Sequence, residues 1–170
     1  MVAQDEVLDL VDENDKVIGK EKRSKVYAKN LSNFRVINAF IRNTKGELWI
    51  PWRTAKKRMF PLCLDVSVGG HVESGETYET TLIRETEEEI NLNIDDLPYR
   101  LLGHLTPHQH GVSAFMNVYE IRTEITPKYN KDDFLEDFWL KPKDILRRKL
   151  CGEKMKDDLP KLVKILYGHK

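Results

Sequence analysis

The composition of this 170-residue chain excludes several classes of protein. Lysine and arginine total 28 and aspartate and glutamate total 28, so no excess positive charge is available for a nucleic acid polymer. No apolar run approaches the length of a membrane span, and the N-terminus lacks the apolar core of a signal peptide. Cys63 and Cys151 lack the paired spacing of zinc ligands and favour a reducing compartment. We therefore expect a cytoplasmic protein with one core and no membrane partner.

Residues 1–32 are predicted to form an extension that packs on the main domain, residues 33–170. The polar run Asp12–Asp15 is typical of a turn, which predicts a hairpin with strands at Glu6–Val11 and Lys16–Lys22. Ser24 is a candidate N-cap for a short helix that ends near Asn30.

Apolar runs predict three strands at the start of the main domain, at Phe34–Ile41, Glu47–Trp52 and Leu64–Val68. The third strand leads into the glycine pair Gly69 and Gly70. Thr77 is a plausible N-cap for a helix that runs to about Ile90. Further strands are predicted at 101–104, 112–122 and 138–140, and further helices at 144–149 and 158–167. The chain is therefore predicted to be an α+β protein.

One face of the predicted helix at 77–90 is acidic. Glu85, Glu88 and Glu89 project together because residues three and four apart share a helix face, whereas Glu87 points elsewhere. Three like charges repel each other, and Mg²⁺ compensates such charge because it prefers oxygen ligands. The four glutamates alone favour an ordinary solvated face. The glycines, Glu76 and Arg84 at fixed offsets reverse that balance.

This run resembles the Nudix box, in which a glycine precedes a glutamate and then a dense Arg-Glu…Glu-Glu motif. Here Gly70 is followed after five residues by Glu76, and seven more residues lead to the segment Arg84–Leu92, RETEEEINL. Thr86 replaces an aliphatic residue and Asn91 replaces the glycine after the helix. Both changes are mild, because Thr keeps a methyl group and Asn tolerates a left-handed cap.

The resemblance covers roughly Phe34 to the C-terminus and implies a Nudix fold. That fold is a mixed β-sheet sandwiched between α-helices (α/β/α), here with an N-terminal β-hairpin extension. The resemblance implies Mg²⁺, with Mn²⁺ as an alternative, held by the Gly70 carbonyl, Glu85 and Glu89, with Glu88 binding directly or through water. It also implies hydrolysis of a small-molecule substrate in which a nucleoside diphosphate is linked to another group.

Several site roles stay open at this point. Glu88 is the first choice for the base that activates water, with Glu120 or Glu136 outside the box as alternatives. Arg53 and Lys57 are candidates for binding diphosphate oxygens, although Lys57 equally suits a solvated basic loop. Arg84 either orients a glutamate, screens the cluster or contacts substrate.

The histidines His104, His108 and His110 form a loose group along the chain. Their spacing permits a transition-metal site. The better interpretation is a polar loop, because an oxygen-rich metal site is already present.

Flanking residues resemble Nudix proteins related to isopentenyl-diphosphate isomerase. That isomerase needs a cysteine just before the box glycine, where this chain has Gly69, and a glutamate on a later strand, where Gly111–Met116 contains none. The combination favours a hydrolase on an isomerase-like scaffold. An isomerase and a catalytically silent nucleotide-binding module remain the alternatives. The N-terminal hairpin is a candidate contact surface for a homodimer.

Overall fold

The computed structural model describes residues 4–168, so the outermost residues of the two predicted units, 1–3 and 169–170, lie outside the described part. The chain begins with the predicted hairpin, formed by β1 (Val7–Val11) and β2 (Val17–Lys22), and continues into α1 (Arg23–Ala28). Ser24 does not cap α1, so that prediction was wrong. Its hydroxyl and its amide both donate to the Asp5 carboxylate, at 2.6 and 3.0 Å, and α1 begins one residue earlier.

The main sheet is mixed and has six strands. β3 lies at its centre, pairs in parallel with β7, and pairs antiparallel with β4 and β5; β6 and β8 flank the two sides. The strands are β3 (Arg35–Arg42), β4 (Leu48–Arg53), β5 (Val68–His71), β6 (Tyr99–Leu105), β7 (Phe115–Arg122) and β8 (Phe134–Leu140).

Helices cover both faces of this sheet, which confirms the α/β/α architecture. Alternate residues of β3 enter different cores because side chains alternate across a strand. Ile37 and Ile41 pack with Leu82 on one face, whereas Phe40 packs with Leu162 on the other. The helices are α2 (Tyr78–Ile90), α3 (Pro107–His110), α4 (Pro142–Leu150) and α5 (Asp158–Tyr167), with a 3₁₀ turn at Ile94–Asp96.

The predicted strand at 64–68 is wrong in position. The strand begins at Val68 and includes both glycines, and Leu64 makes only isolated bridges. The reason is Ser67, whose hydroxyl donates to the Trp49 carbonyl at 2.5 Å and accepts from the Ile41 amide at 2.9 Å. This side chain inserts between β3 and β4, so the segment runs alongside β4 before the chain pairs with β3 at Val68. The 3₁₀ turn and α3 were not predicted.

The N-terminal extension is fastened to the main domain at the tip of its hairpin. Asp15, in the left-handed region at φ 59°, accepts hydrogen bonds from Arg35 Nε at 2.7 Å and from the Tyr78 hydroxyl at 2.8 Å. A separate apolar cluster that includes Leu8, Val26 and Phe34 packs beneath the hairpin. The extension therefore forms a wall of the cavity described below.

Across residues 4–168, no helix combines the length and the apolar character needed to cross a membrane.

Candidate active site

Helix α2 presents the acidic residues to a cavity, and its ends are set by the residues predicted for them. Thr77 caps the first turn, and its side chain and that of Thr80 form a reciprocal capping box. Asn91 closes the helix in the left-handed region at φ 51°, as its tolerance of that conformation predicts. The stripe formed by Leu82, Thr86 and Ile90 is buried, so the adjacent acidic stripe lies beside the sheet edge.

Gly70 and Glu85 touch across the gap between β5 and α2. A methyl group on residue 70 would lie 2.2 Å from Cδ and from Oε1 of Glu85, far inside an ordinary contact. Only a glycine therefore allows this carboxylate to approach the backbone of β5. The Glu85 side chain is 14% exposed, so its carboxylate is held in a poorly solvated place against Gly70.

Arg84 organises the acidic residues. Its Nε and Nη2 donate to the two oxygens of Glu76, at 2.8 and 2.9 Å, in the bidentate geometry that gives the strongest guanidinium–carboxylate pairs. Its Nη1 donates to Glu85 at 2.8 Å, and Nη2 also reaches the His71 carbonyl at 3.2 Å. These hydrogen bonds lower the pKa of Glu76 to about 2. Arg84 is therefore placed to orient Glu76 and Glu85, and both this role and its contact with substrate stay predictions.

The two carboxylates of the inner site carry perturbed pKa values. Burial raises the pKa of Glu85 to about 7, opposed by Arg84 and assisted by the negative charge of Glu88. Burial, together with the charge of Glu85, also raises the pKa of Glu89 well above its ordinary value. Such shifts mark groups whose charge is uncompensated, and they cluster at functional sites.

The donor set fits a hard divalent cation. Gly70 offers a carbonyl oxygen, and the three glutamates offer carboxylate oxygens, which are the ligands that Mg²⁺ prefers. Among residues 4–168, no three His, Cys, Asp or Glu side chains are already gathered around one metal position. Arg84 holds one oxygen of Glu85, and the Glu88 side chain turns outward and is 60% exposed. The carboxylates would have to converge for an ion to be bound.

The two basic candidates line the same cavity, which has a volume of about 630 Å³. Arg53 donates to Asp65 at 2.5 Å and to the carbonyls of Met59 and Phe60, both at 2.9 Å. Lys57 is ion-paired with Asp133. Both cations thus lie at the same cavity as the acidic face of α2, and their present partners fix the loop after β4. Their binding of phosphate stays a prediction.

The alternative bases outside the box do not line this cavity. Glu120 is fully buried against Arg42, Arg100, Arg122 and Tyr167. Burial by itself would raise the pKa of Glu120, but hydrogen bonds from Tyr167 and Arg122 lower it below its ordinary value. Glu136 is exposed on β8, opposite Trp52.

The three histidines likewise lie away from the cavity. His104 bonds to Asn117 at 2.7 Å, and His110 accepts from the Thr106 amide at 3.0 Å. His108 packs against the Phe115 ring. The interpretation of a polar loop was wrong, because His104 lies in β6 and His108 and His110 lie in α3.

Sequence reasoning missed several residues that line the cavity. Tyr27 comes from the extension, Asn38 from the middle of β3, Asp133 from the loop before β8, and Lys156 from the turn before α5. No local motif marks them, because each reaches the cavity through the packing of elements far apart in the chain.

Comparison with known proteins agrees with this geometry. The family model for the NUDIX domain matches residues 33–159. An uncharacterized Nudix hydrolase from Nostoc sp. is 57% identical over 164 residues, covering 96% of this chain and 97% of that protein. A Nudix hydrolase from Deinococcus radiodurans is 48% identical over 163 residues, covering 96% and 95%. A Deinococcus radiodurans crystal structure superposes with a TM-score of 0.91 at 47% identity, covering 95% of this chain and 99% of that one.

The fold, the glycine–glutamate site and these relatives define a hydrolase of phosphoric anhydride bonds. The chain belongs to the Nudix family. Isopentenyl-diphosphate isomerase from Salmonella arizonae is a more distant relative, 25% identical over 142 residues, covering 81% of this chain and 78% of that protein. This pattern agrees with the predicted subgroup, which shares the isomerase-like scaffold and lacks the catalytic cysteine.

Proposed function

We propose that this protein is a Mg²⁺-dependent pyrophosphohydrolase that cleaves the diphosphate linkage of a nucleoside diphosphate-linked substrate. The observation that carries the proposal is the acidic face of α2 at the cavity, where Glu85 packs against Gly70 and both Glu85 and Glu89 are poorly solvated carboxylates with raised pKa values. A divalent cation would stabilise the charged form of both. The substrate supplies the phosphate oxygens that Mg²⁺ commonly shares with protein carboxylates.

Gly70, Glu85, Glu88 and Glu89 would hold the metal. A bound Mg²⁺ supplies charge neutralisation at the phosphoryl oxygens and favours the ionised form of water. Arg84 keeps the Glu85 carboxylate against β5. Glu88 has the exposure needed to accept the proton of the attacking water, because its side chain is 60% exposed on the same helix face.

Arg53 and Lys57 complete the proposed chemistry at the diphosphate. Both line the cavity with Glu85 and Glu89. Cations at this position attract a charged substrate and stabilise the phosphate oxygens during bond cleavage. Their pairing with Asp65 and Asp133 keeps them extended towards the cavity.

The isomerase alternative lacks its reactive groups. Gly69 offers no thiol at the required position. Cys63 is no substitute, because its Sγ donates to the Phe60 carbonyl at 3.1 Å and burial raises its pKa to about 11. The nucleotide-binding module is disfavoured because all the box glutamates are retained. A proton-exchange assay on isopentenyl diphosphate gives no signal if the hydrolase proposal holds.

The first test is a panel of nucleoside diphosphates and triphosphates, nucleotide sugars, dinucleoside polyphosphates and coenzyme A, with Mg²⁺ or Mn²⁺. Phosphate-chain cleavage should appear for at least one class and vanish with a chelator. On that substrate, Glu85→Gln and Glu89→Gln should each lower turnover by about 100-fold or more. Glu87→Gln is the matched control, because Glu87 is an exposed glutamate of the same helix outside the acidic face.

Two results would contradict the proposal. Near-normal turnover in both glutamine variants would remove the metal assignment. Tight nucleotide binding by calorimetry, with no turnover under any divalent cation, would favour the binding-only module instead.

A further inference from the structure

The glycine pair divides the cavity into two sides. Successive residues of a strand face opposite sides of the sheet. A methyl group on residue 70 would meet Glu85, whereas one on residue 69 would lie 3.1 Å from Asn38 Oδ1 and 3.6 Å from Lys156 Nζ. The metal-binding candidates therefore lie on one side of β5, and a different polar pair lies on the other, within the same cavity.

Asn38 is a buried amide without a strong partner. It lies in the middle of β3, directly opposite Gly69, and is only 5% exposed. Within residues 4–168, its side chain makes one hydrogen bond, to the sulfur of Met116 at 3.4 Å. A buried amide with so weak a partner lowers stability relative to an apolar residue. Its polar atoms lie at the cavity, where a ligand would satisfy them.

Lys156 supplies a cation beside this amide. Its backbone amide donates to the Leu64 carbonyl at 2.9 Å, which fixes the turn before α5. Its ammonium lies 3.6 Å from Asp65, a carboxylate that already accepts from Arg53 at 2.5 Å. An ammonium has three donors, and this long contact leaves donors available to a ligand.

Aromatic side chains form part of the cavity wall near these two residues. Phe34 stacks on the His71 ring, with centroids 5.8 Å apart and planes 17° from parallel. The Tyr27 hydroxyl shares a hydrogen bond of 2.7 Å with His71 Nε2. These three rings present flat, largely apolar surface to the cavity, which suits an organic group beside Asn38 and Lys156.

We propose that Asn38 and Lys156 select the substrate by binding the organic group attached to the diphosphate. Lys156 donates to an acceptor oxygen of that group, and the Asn38 amide completes its hydrogen bonding. Gly69 keeps this end of the cavity open, because a methyl group there would lie 3.1 Å from Asn38 Oδ1 and 3.3 Å from Val66 Cγ2, both tighter than ordinary contacts. The proposal rests on the proposed hydrolase function, since it places the diphosphate at Glu85 and Glu89.

The test compares two substrates that share a diphosphate and differ in the attached group. One is the nucleoside diphosphate that the wild-type protein cleaves fastest, and the other is methyl diphosphate. For Asn38→Leu and Lys156→Met, the ratio of kcat/KM between the nucleoside and methyl substrates should fall by about tenfold or more, the loss expected for one hydrogen bond to a charged or buried group. Gly69→Ala should lower the same ratio.

Lys154→Met is the matched control, because Lys154 is an exposed lysine two residues away that does not line this cavity. Its ratio should equal that of the wild-type protein. Thermal unfolding separates substrate recognition from a structural role. If Asn38 had a structural role, Asn38→Leu would lower Tm. Asn38→Leu should keep or raise Tm, because it removes a poorly partnered buried amide.

A second measurement identifies the group that is bound. Calorimetry with Mg²⁺ compares a methylene-bridged nucleoside diphosphate with methyl methylenediphosphonate. The first ligand should bind more tightly to the wild-type protein, and Asn38→Leu and Lys156→Met should remove that advantage. The nucleoside ligand is then replaced by ribose 5-diphosphate. If ribose 5-diphosphate also binds more tightly than the methyl ligand, sugar hydroxyls are the acceptors. If it does not, the base supplies them.

Three results would overturn the inference. In the first, the ratio of kcat/KM stays unchanged in both Asn38→Leu and Lys156→Met. In the second, Asn38→Leu lowers Tm and lowers kcat/KM equally for both substrates. In the third, the wild-type protein binds the two calorimetric ligands equally well. Failure of the hydrolase proposal looks different. In that case the wild-type protein cleaves neither substrate, and the binding difference alone decides the role of Asn38 and Lys156.

Discussion

Replacing Gly70 by alanine is a direct test of how the inner site is built. The added methyl group would lie 2.2 Å from the Glu85 carboxyl, and ordinary contacts begin near 3.4 Å. The carboxyl group must therefore retreat by roughly 1 Å in a close-packed site. The backbone itself tolerates alanine, because Gly70 is not in the left-handed region. A flexible side chain moves while the fold survives, so the variant isolates the position of one ligand.

A displacement of about 1 Å in a reacting group costs on the order of 100-fold in rate. We expect that loss in kcat/KM for Gly70→Ala, together with a weaker apparent affinity for Mg²⁺. The value of kcat/KM and the apparent Mg²⁺ affinity are both obtained by measuring phosphate release from the best substrate across a Mg²⁺ titration. Gly19→Ala is the control, because a methyl group there meets nothing within 4 Å.

Thermal unfolding should confirm that Gly70→Ala remains folded. Turnover within about threefold of the wild-type value, at unchanged Mg²⁺ affinity, would refute the reasoning, because the contact would then be irrelevant to the chemistry. Equal losses in Gly70→Ala and Gly19→Ala would also refute it, since the second change leaves the site untouched.

Three further predictions concern charged residues. Glu120→Gln should lower the free energy of unfolding in urea by about 3 kcal/mol, because it leaves arginines around a neutral buried group. The same variant should keep kcat unchanged. A fall in kcat at unchanged stability would make Glu120 a candidate base again. Glu76 has its pKa lowered from 4.5 to about 2, so its pairing stabilises the fold above pH 4.5 and is lost as the pH falls towards 2. Urea unfolding in EDTA, measured across that pH window, should show a smaller loss of unfolding free energy for Glu76→Gln than for the wild-type protein. Equal losses in the two proteins would refute the pairing. Arg84→Lys keeps the charge and loses the bidentate geometry, so turnover should fall by about tenfold; a rate equal to wild type would show that charge alone is needed.

The parts of the fold that sequence predicts well are those with local causes. Thr77 caps α2, the stripe at Leu82 and Ile90 is buried, and Asn91 ends the helix, and each of these depends on residues within a few positions. The acidic face follows from the same helix geometry. The hairpin is equally local, because the polar turn at residues 12–15 joins β1 directly to β2.

The errors arise where distant contacts decide. Ser67 belongs to an apolar run that predicts a strand, yet its hydroxyl bridges Trp49 and Ile41 and holds the segment between β3 and β4. Ser24 has the residue type of a cap, but Asp5, nineteen positions earlier, takes its hydrogen bonds. Neither set of hydrogen bonds can be inferred from the residues that adjoin Ser67 or Ser24 in the sequence. The same holds for Lys156, which enters the cavity only because α5 packs across the sheet.

Gly69 and Gly70 connect these two kinds of information. The sequence identifies both, one as the box glycine and one as the position where the isomerase needs cysteine. Their separate roles depend on the alternation of a strand, which brings Glu85 to one and Asn38 with Lys156 to the other. In the two proposals, Gly70 therefore governs the position of a metal ligand and Gly69 governs the space for the attached group. Where the related isomerase needs a cysteine, glycine at residue 69 supplies no thiol for proton transfer, and it leaves room beside an amide and an ammonium.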